Sequence, residues 1–186
     1  MFEQLRACIA TANGIEYGMQ CIWISCKIGG VKMSHEYFLW ICTFAYGMHI
    51  IEEMLFDWRG WARGFLKLPA EWSEFYAFNA FVILYGCISA IVGWKYPILS
   101  LSYPAFMLVN AIFFHLVPVI VSKRFSPGLF TGIVLFLPIA SLTYYGASLD
   151  NVISTQSIIF STLIGSIIMI YPIVLQKLKT KPFFQQ

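Results

Sequence analysis

Long apolar stretches alternate with short polar ones along most of this chain. The apolar stretches cover residues 36–57, 75–94, 98–121, 129–148 and 152–175. As a helix rising about 1.5 Å per residue, each can cross the roughly 30 Å hydrocarbon core of a bilayer. Only helices and closed barrels satisfy their backbone hydrogen bonds in lipid. The pattern therefore predicts an all-α, polytopic membrane helix bundle of about five transmembrane helices.

The connection between the first two stretches is aromatic and basic rather than simply polar. It contains WRGWARGFLKLPAEW, residues 58–72. Tryptophan mixed with arginine and lysine is typical of a helix that lies in the membrane interface. We therefore predict a short interfacial helix here, and Pro69 should end it before the second span.

The composition agrees with a membrane protein. Hydrophobic residues make up 59% of the chain and charged residues 11%, against roughly 25% charged residues in soluble domains. The net charge of +3 is too small to indicate nucleic-acid binding. The five cysteines form no CxxC pair, so we expect neither a zinc finger nor a disulfide framework.

The distribution of lysine and arginine predicts an orientation. One side of the predicted bundle carries eight of them: Arg59, Arg63, Lys67, Lys123, Arg124, Lys177, Lys179 and Lys181. The other side carries four: Arg6, Lys27, Lys32 and Lys95. Because the side richer in positive charge usually faces the cytoplasm, we expect the amino terminus outside and the carboxyl terminus inside. We divide the chain into an N-terminal extension (1–35), a membrane domain (36–176) and a basic cytoplasmic tail (177–186).

A polar group interrupts the first predicted span. With about 100° between successive residues of a helix, His49, Glu52 and Glu53 fall within an arc of about 100°. A charged residue at mid-bilayer costs about 2.5–3.5 kcal/mol, so this group needs a cation, a proton or a basic partner. His115 in the third span lies at a similar depth, about 9 Å from its cytoplasmic end against about 12 Å for His49. We expect the two histidines and the acidic pair to share one site.

These residue types predict a metal centre. His49, Glu53 and His115 offer two imidazoles and a carboxylate, the ligand set of a catalytic zinc site or of a non-haem iron site. Glu52 is then the expected catalytic base for a metal-bound water, as glutamate is in HExxH enzymes. The sequence does not choose between zinc and iron.

Four further residues are candidates for supporting roles near this centre. Asn79 and Asn110 are predicted polar support inside the bundle, although Asn110 falls about 140° around the helix from His115 and hydrogen bonding between helices is the simpler explanation for both. Lys123 and Arg124 are candidates for contact with a phosphate or carboxylate headgroup. The positive-inside pattern explains them equally well.

The motifs together resemble the HXXEE domain family of small membrane proteins. The naming motif is His49-Ile-Ile-Glu52-Glu53, and the family adds a second histidine and a YxPG motif. Here His115 is followed, ten residues on, by Phe125-Ser126-Pro127-Gly128, with Phe in place of Tyr. The resemblance covers about residues 38–175 and implies a membrane protein whose biochemical activity is not established. On the simplest interpretation, Pro127 and Gly128 form a turn that begins the fourth span.

Three functions fit these observations. The first is a metal-dependent integral membrane enzyme, for which a hydrolase is one candidate, acting on a lipid or other amphiphile near the cytoplasmic leaflet. The second is a proton-coupled transporter or channel component, since intramembrane Glu and His also form proton relays. The third is a non-catalytic partner subunit. Membrane lipid is the one partner that the composition itself implies.

Overall fold

The computed structural model describes residues 34–179, and this part of the chain is almost entirely helical, with no β-strand. The predicted N-terminal extension up to residue 33 and the end of the predicted tail from residue 180 lie outside the described residues. The helices are α1 (Tyr37–Leu55), α2 (Trp58–Trp61), α3 (Trp72–Val92), α4 (Pro97–Ser122), α5 (Leu129–Leu149) and α6 (Thr155–Lys179). Their bounds follow the predicted spans to within a few residues.

Within the described residues, three π-helical segments with i→i+5 hydrogen bonds interrupt the regular helices. They are Ala62–Leu66 after α2, Asn110–Leu116 within α4 and Gly132–Phe136 within α5. Such segments often occur at functional sites. The sequence pattern did not predict them, because a π-segment changes the helical phase without changing composition.

Four helices in the described part of the chain are long and apolar enough to cross a membrane, namely α3 with its 3₁₀ extension to Lys95, α4, α5 and α6. This composition indicates a membrane protein. The first predicted span, α1, is not among the four, since His49, Glu52 and Glu53 make its carboxyl-terminal part polar. The structure therefore supports four of the roughly five predicted transmembrane helices, and the count of five is not confirmed.

The predicted short helix between the first two long helices is present as α2 and the π-segment that follows it. Asp57 caps its amino end by accepting a hydrogen bond from the backbone N–H of Gly60. Lys67, with φ of 56°, ends it two residues before Pro69. Its position on a membrane surface stays a prediction, and so does the orientation of the termini.

Helix α4 is the centre of the bundle. Residues 100–107 of α4 are buried without a break, so this part of the helix is covered on all sides. Against α6 the contact is backbone to backbone: a Cβ added to Gly165 would lie 2.6 Å from the backbone nitrogen of Phe106. Small residues allow such close approach between membrane helices, where dispersion forces drive association.

Polar contacts show that the long helices alternate in direction. At one end of the bundle Glu74 at the start of α3 pairs with Lys179 at the end of α6. We call this the basic end, because the lysines and arginines of the α1–α3 and α4–α5 connections also belong to it. At the opposite end, Asp150 just after α5 contacts His35, just before α1, and Trp94, just after α3.

Asp150 makes polar contacts that join several chain segments at this opposite end. Its carboxylate accepts hydrogen bonds from the backbone N–H of His35 at 2.6 Å, from the His35 imidazole at 3.0 Å and from Trp94 Nε1 at 3.0 Å. Burial by itself would raise the pKa of Asp150, but these donors outweigh it and lower that pKa to about 2. The carboxylate therefore stays ionised and holds three chain segments together.

We predict that Asp150→Asn lowers the free energy of unfolding at neutral pH by about 1–3 kcal/mol. The hydrogen-bond donors then face a neutral amide oxygen instead of a charged carboxylate. Since the pKa falls from an ordinary 3.8 to about 2 on folding, the stabilisation is complete above about pH 4 and is lost as the pH falls towards 2. Thermal unfolding between pH 2 and 7 should show the two proteins converge at low pH. Glu71→Gln, which alters a half-exposed carboxylate beside Arg63, is the control and should change stability by less than about 1 kcal/mol. An Asn variant as stable as the wild type at pH 7 would contradict the assignment.

Candidate metal centre

The inward face of α1 carries His49 and Glu53. The buried residues of α1 include Leu39, Cys42, Tyr46, His49 and Glu53, which follow one another at spacings of three and four. This spacing defines one stripe of a helix. The apolar half of the stripe packs in the core, and the same geometry therefore carries the polar half into the protein rather than towards lipid.

The π-segment of α4 brings His115 and Asn110 to one face. With i→i+5 hydrogen bonds, residues five apart lie nearly above one another, whereas a regular α-helix separates them by about 140°. Both side chains are buried and both line the same cavity. The argument that Asn110 need not face the same site as His115 assumed regular α-helical phase, which the π-segment changes.

His49, Glu53 and His115 converge on one point. Glu53 Oε1 lies 3.7 Å from His49 Nε2 and 3.7 Å from His115 Nε2, and the three atoms all lie within 4.8 Å of one another. Both Nε2 atoms are buried, and neither has a hydrogen-bond partner within residues 34–179. Ligands about 2.0–2.1 Å from a tetrahedral ion are about 3.3 Å apart. The group is thus slightly more open than a closed metal site and has the correct donor atoms for one.

Thr131 fixes the tautomer of His49. Its hydroxyl donates to Glu52 Oε2 at 2.5 Å, so its oxygen must accept from His49 Nδ1, which is 2.7 Å away. The Nδ1 atom therefore carries the imidazole proton, and Nε2 presents its lone pair to the point shared with Glu53. Metal-binding histidines are typically held in this way by a hydrogen bond at the other ring nitrogen.

Ser126 gives His115 an equivalent support. Its Oγ lies 3.1 Å from His115 Nδ1, and it donates weakly to the carbonyl of Phe114 at 3.5 Å. When the hydroxyl donates to that carbonyl, Nδ1 is the donor and Nε2 carries the lone pair, as a metal ligand requires. In this tautomer both Nε2 atoms present lone pairs to the same carboxylate oxygen.

Glu52 is turned away from this point and binds the first turn of α5. Its carboxylate accepts from the backbone N–H groups of Gly128 at 3.2 Å, Phe130 at 3.0 Å and Thr131 at 2.7 Å, besides the Thr131 hydroxyl. A helix amino terminus is a favourable site for a carboxylate, since its N–H groups are unpaired and its dipole is positive there. These donors offset the cost of burying Glu52. Its predicted role as a catalytic base stays a prediction.

Gly128 occupies the space between the two imidazoles. Its φ is +94°, in the region that favours glycine. A Cβ at this position would lie 2.6 Å from Cε1 of His49 and 2.6 Å from Cε1 of His115. The turn formed by Pro127 and Gly128 therefore does more than begin α5, because it sets the separation of the two histidines.

A cavity of about 640 Å³ connects this group with the basic end of the bundle. Glu53 and His115 lie at its inner end. Its walls are formed mainly by apolar residues of α3, α4 and α6, and at the basic end it reaches Trp58, Trp61, Glu71, Glu74, Gln176 and Lys179. There the side chains of Gln176 and Lys179 both contact Glu74, joining α6 to α3.

The remaining predicted residues differ in their relation to the centre. Asn79 lines the cavity and is fully engaged: its Oδ1 accepts from the Tyr46 hydroxyl at 2.5 Å and its Nδ2 donates to the Phe75 carbonyl at 2.9 Å. Lys123 and Arg124 are exposed and do not line the cavity, so their contact with a headgroup stays a prediction.

Residues that the sequence analysis passed over complete the site. Thr131 and Ser126 hold the histidines, and no spacing rule identified them, although both lie in or just after the FSPG motif. Phe125, which replaces the motif's tyrosine, is half exposed and packs on Phe56 with ring centroids 5.2 Å apart.

Fold and site together define a helical membrane protein with a buried His/Glu/His group at the inner end of a partly open cavity. Residues 40–143 match the family described as a protein of unknown function with HXXEE motif. The chain belongs to this HXXEE family. It is also 34% identical over 146 residues to the uncharacterized protein YrkK of Bacillus subtilis (strain 168), covering 72% of this chain and 89% of that protein. No solved structure matches the chain.

We predict that Gly128→Ala disrupts the centre. The left-handed backbone alone costs a side chain about 1–2 kcal/mol, and the added methyl group must displace both imidazoles. Thermal unfolding should show a marked loss of stability. Gly47→Ala, in α1 with nothing within 4 Å of its added Cβ, should leave stability unchanged or raise it by up to about 1 kcal/mol. Equal behaviour of the two variants would contradict the role given to Gly128.

Proposed function

We propose that this protein is a metal-dependent integral membrane enzyme in which His49 Nε2, Glu53 Oε1 and His115 Nε2 bind one divalent ion, zinc or iron. The observation that carries the proposal is the pair of buried imidazole nitrogens without partners, both facing one carboxylate oxygen. Two lone pairs and a carboxylate repel one another unless a cation or proton lies between them. Three protein ligands leave a coordination position open, as in catalytic zinc sites.

In this proposal the reaction is a hydrolysis. A bound divalent ion lowers the pKa of water and polarises a substrate carbonyl or phosphoryl group. The chain itself holds the ligands by the hydrogen bonds that His49 and His115 make through Nδ1 to the hydroxyl oxygens of Thr131 and Ser126, and it keeps the surroundings apolar. Such surroundings strengthen electrostatic interactions with a reacting group.

We assign Glu52 a positioning role in place of the predicted role of catalytic base. Its oxygens are occupied by the first turn of α5, and it acts on His49 through the Thr131 hydroxyl. The carboxylate–hydroxyl–imidazole series fixes both the tautomer and the orientation of the ring. Mutation of such outer groups typically lowers metal affinity by about 10–100-fold.

The proposed substrate is a lipid or another amphiphile. The cavity volume of about 640 Å³ is within the usual range of ligand pockets, and its mainly apolar walls suit an aliphatic chain. The cavity reaches the basic end, which we propose to be cytoplasmic on the basis of its positive charge. Substrate would then come from the cytoplasmic leaflet, beside the tryptophans of α2.

We predict that the protein purified without chelator contains about one divalent ion per chain. His49→Ala, His115→Ala and Glu53→Gln should each lose most of it, measured by elemental analysis of the purified proteins. His35→Ala is the matched control, because His35 is the third histidine of the chain and contacts Asp150 at the opposite end. It should keep its metal. Metal-free wild-type protein that cannot bind added Zn²⁺ or Fe²⁺ would end the proposal.

The positioning role of Glu52 and Thr131 is tested separately. Thr131→Val keeps the shape of the side chain and removes the hydroxyl, so it should weaken Zn²⁺ binding by about 10–100-fold, measured by competition with a chromogenic chelator. Thr143→Val is the matched control on the same helix, since buried Thr143 bonds Cys42 and the Ile139 carbonyl, away from the centre. Unchanged Zn²⁺ affinity in Thr131→Val would contradict the positioning role assigned to Glu52 and Thr131.

A further inference from the structure

The side-chain carbonyl of Asn110, a residue that lines the cavity, is a buried hydrogen-bond acceptor without a partner in residues 34–179. Asn110 is 5% exposed and lines the cavity together with Glu53 and His115. Among the residues that the structure describes, its Oδ1 has no hydrogen-bond partner. Its Nδ2 makes one weak contact, donating to Met169 Sδ at 3.4 Å. A buried polar atom left without a partner costs about 1–3 kcal/mol. This residue therefore does not act simply as a hydrogen bond between helices.

The other asparagine of the cavity shows the difference. Asn79 uses both ends of its amide within the protein, with Tyr46 as donor and the Phe75 carbonyl as acceptor. These two hydrogen bonds offset the cost of burying Asn79, and the bond with Tyr46 joins α1 to α3. Asn110 has no such arrangement, although it lies in the same cavity.

The π-segment makes the position of Asn110 specific. A regular helix would have turned it away from His115, and the i→i+5 geometry of Asn110–Leu116 instead places both on the cavity face. Asn110 thus lines the same cavity as Glu53 and His115, and a molecule that reached the centre would pass this residue.

We propose that Asn110 is a specificity-determining residue that accepts a hydrogen bond from the substrate. This inference rests on the function proposed above and names its substrate class: an amphiphile with a hydrogen-bond donor, a secondary amide N–H or a hydroxyl, adjacent to the reacting group. A site built around an acceptor rejects analogues that lack the donor, because the protein atom is then left unpaired. Esters and tertiary amides without a neighbouring donor should bind poorly.

The test compares two probes that differ in one N–H. N-dodecylacetamide carries the donor, and N-dodecyl-N-methylacetamide does not; both are used with bromine atoms on the dodecyl chain. Trp58 and Trp61 line the cavity, so a bound brominated chain quenches protein fluorescence. Full-length protein is used in lipid nanodiscs, since detergent would compete for the cavity. We expect the secondary amide to bind at least about 5-fold more tightly than the tertiary one, because one net hydrogen bond contributes a factor of about this size.

Two variants locate the effect. Asn110→Leu should abolish the preference, whereas Ser89→Ala should keep it, because Ser89 is a buried polar residue that lies outside the cavity. Equal binding of the two probes to the wild type overturns the inference without any variant. A preference that survives in Asn110→Leu also overturns it.

The experiment separates this inference from the metal proposal. Probe binding is measured without added metal, while the metal content is measured by elemental analysis. A preference for the secondary amide in a protein that binds no metal would retain Asn110 as a binding residue and remove the hydrolase. Stoichiometric metal without a preference for the secondary amide would support the metal centre and remove Asn110 as a binding residue.

Discussion

The carboxylate of Glu52 at the amino terminus of α5 is the interaction on which the rest of the site depends. It joins α1 to α5 by three backbone N–H donors and one hydroxyl. In an apolar environment neither partner could remain unpaired, since a buried carboxylate and a bare helix terminus both require compensation. Pairing them satisfies both and fixes the register of the two helices. Thr131 and Gly128, which lie in that first turn, are thereby placed against the two histidines.

The two adjacent glutamates meet the cost of burial in different ways. Glu52 has donors from the protein and is a structural anion. Glu53, one residue on, faces two imidazole nitrogens that are acceptors in the tautomers set by Thr131 and Ser126. The first arrangement is complete within the chain, and the second is complete only with a proton or a cation. This asymmetry separates a residue that builds the site from a residue that acts in it, and it is the physical basis for proposing a metal centre.

The cavity leads from this centre to the basic end of the bundle. It extends from Glu53 and His115 to the basic end, between walls formed by α3 and α6 on either side of α4. The polar contacts of Glu74 with Gln176 and Lys179 join those walls at the end furthest from the centre. An internal site that is reached through an apolar channel suits a substrate already dissolved in the membrane. A water-soluble substrate would gain little from such walls.

The sequence by itself determined the helices, their approximate bounds and the three residues of the candidate centre. Apolar length predicts spans wherever backbone groups must pair within one segment, and a stripe at spacings of three and four shows which face of α1 turns inward. The sequence did not determine the phase of α4, because the π-segment at Asn110–Leu116 leaves no trace in composition and moved Asn110 onto the face of His115. Nor did it distinguish Glu52 from Glu53, which share a stripe and a chemistry. Only the packing of α5 against α1 decided that difference, since the donors that occupy Glu52 come from a segment 76 to 79 residues further along the chain.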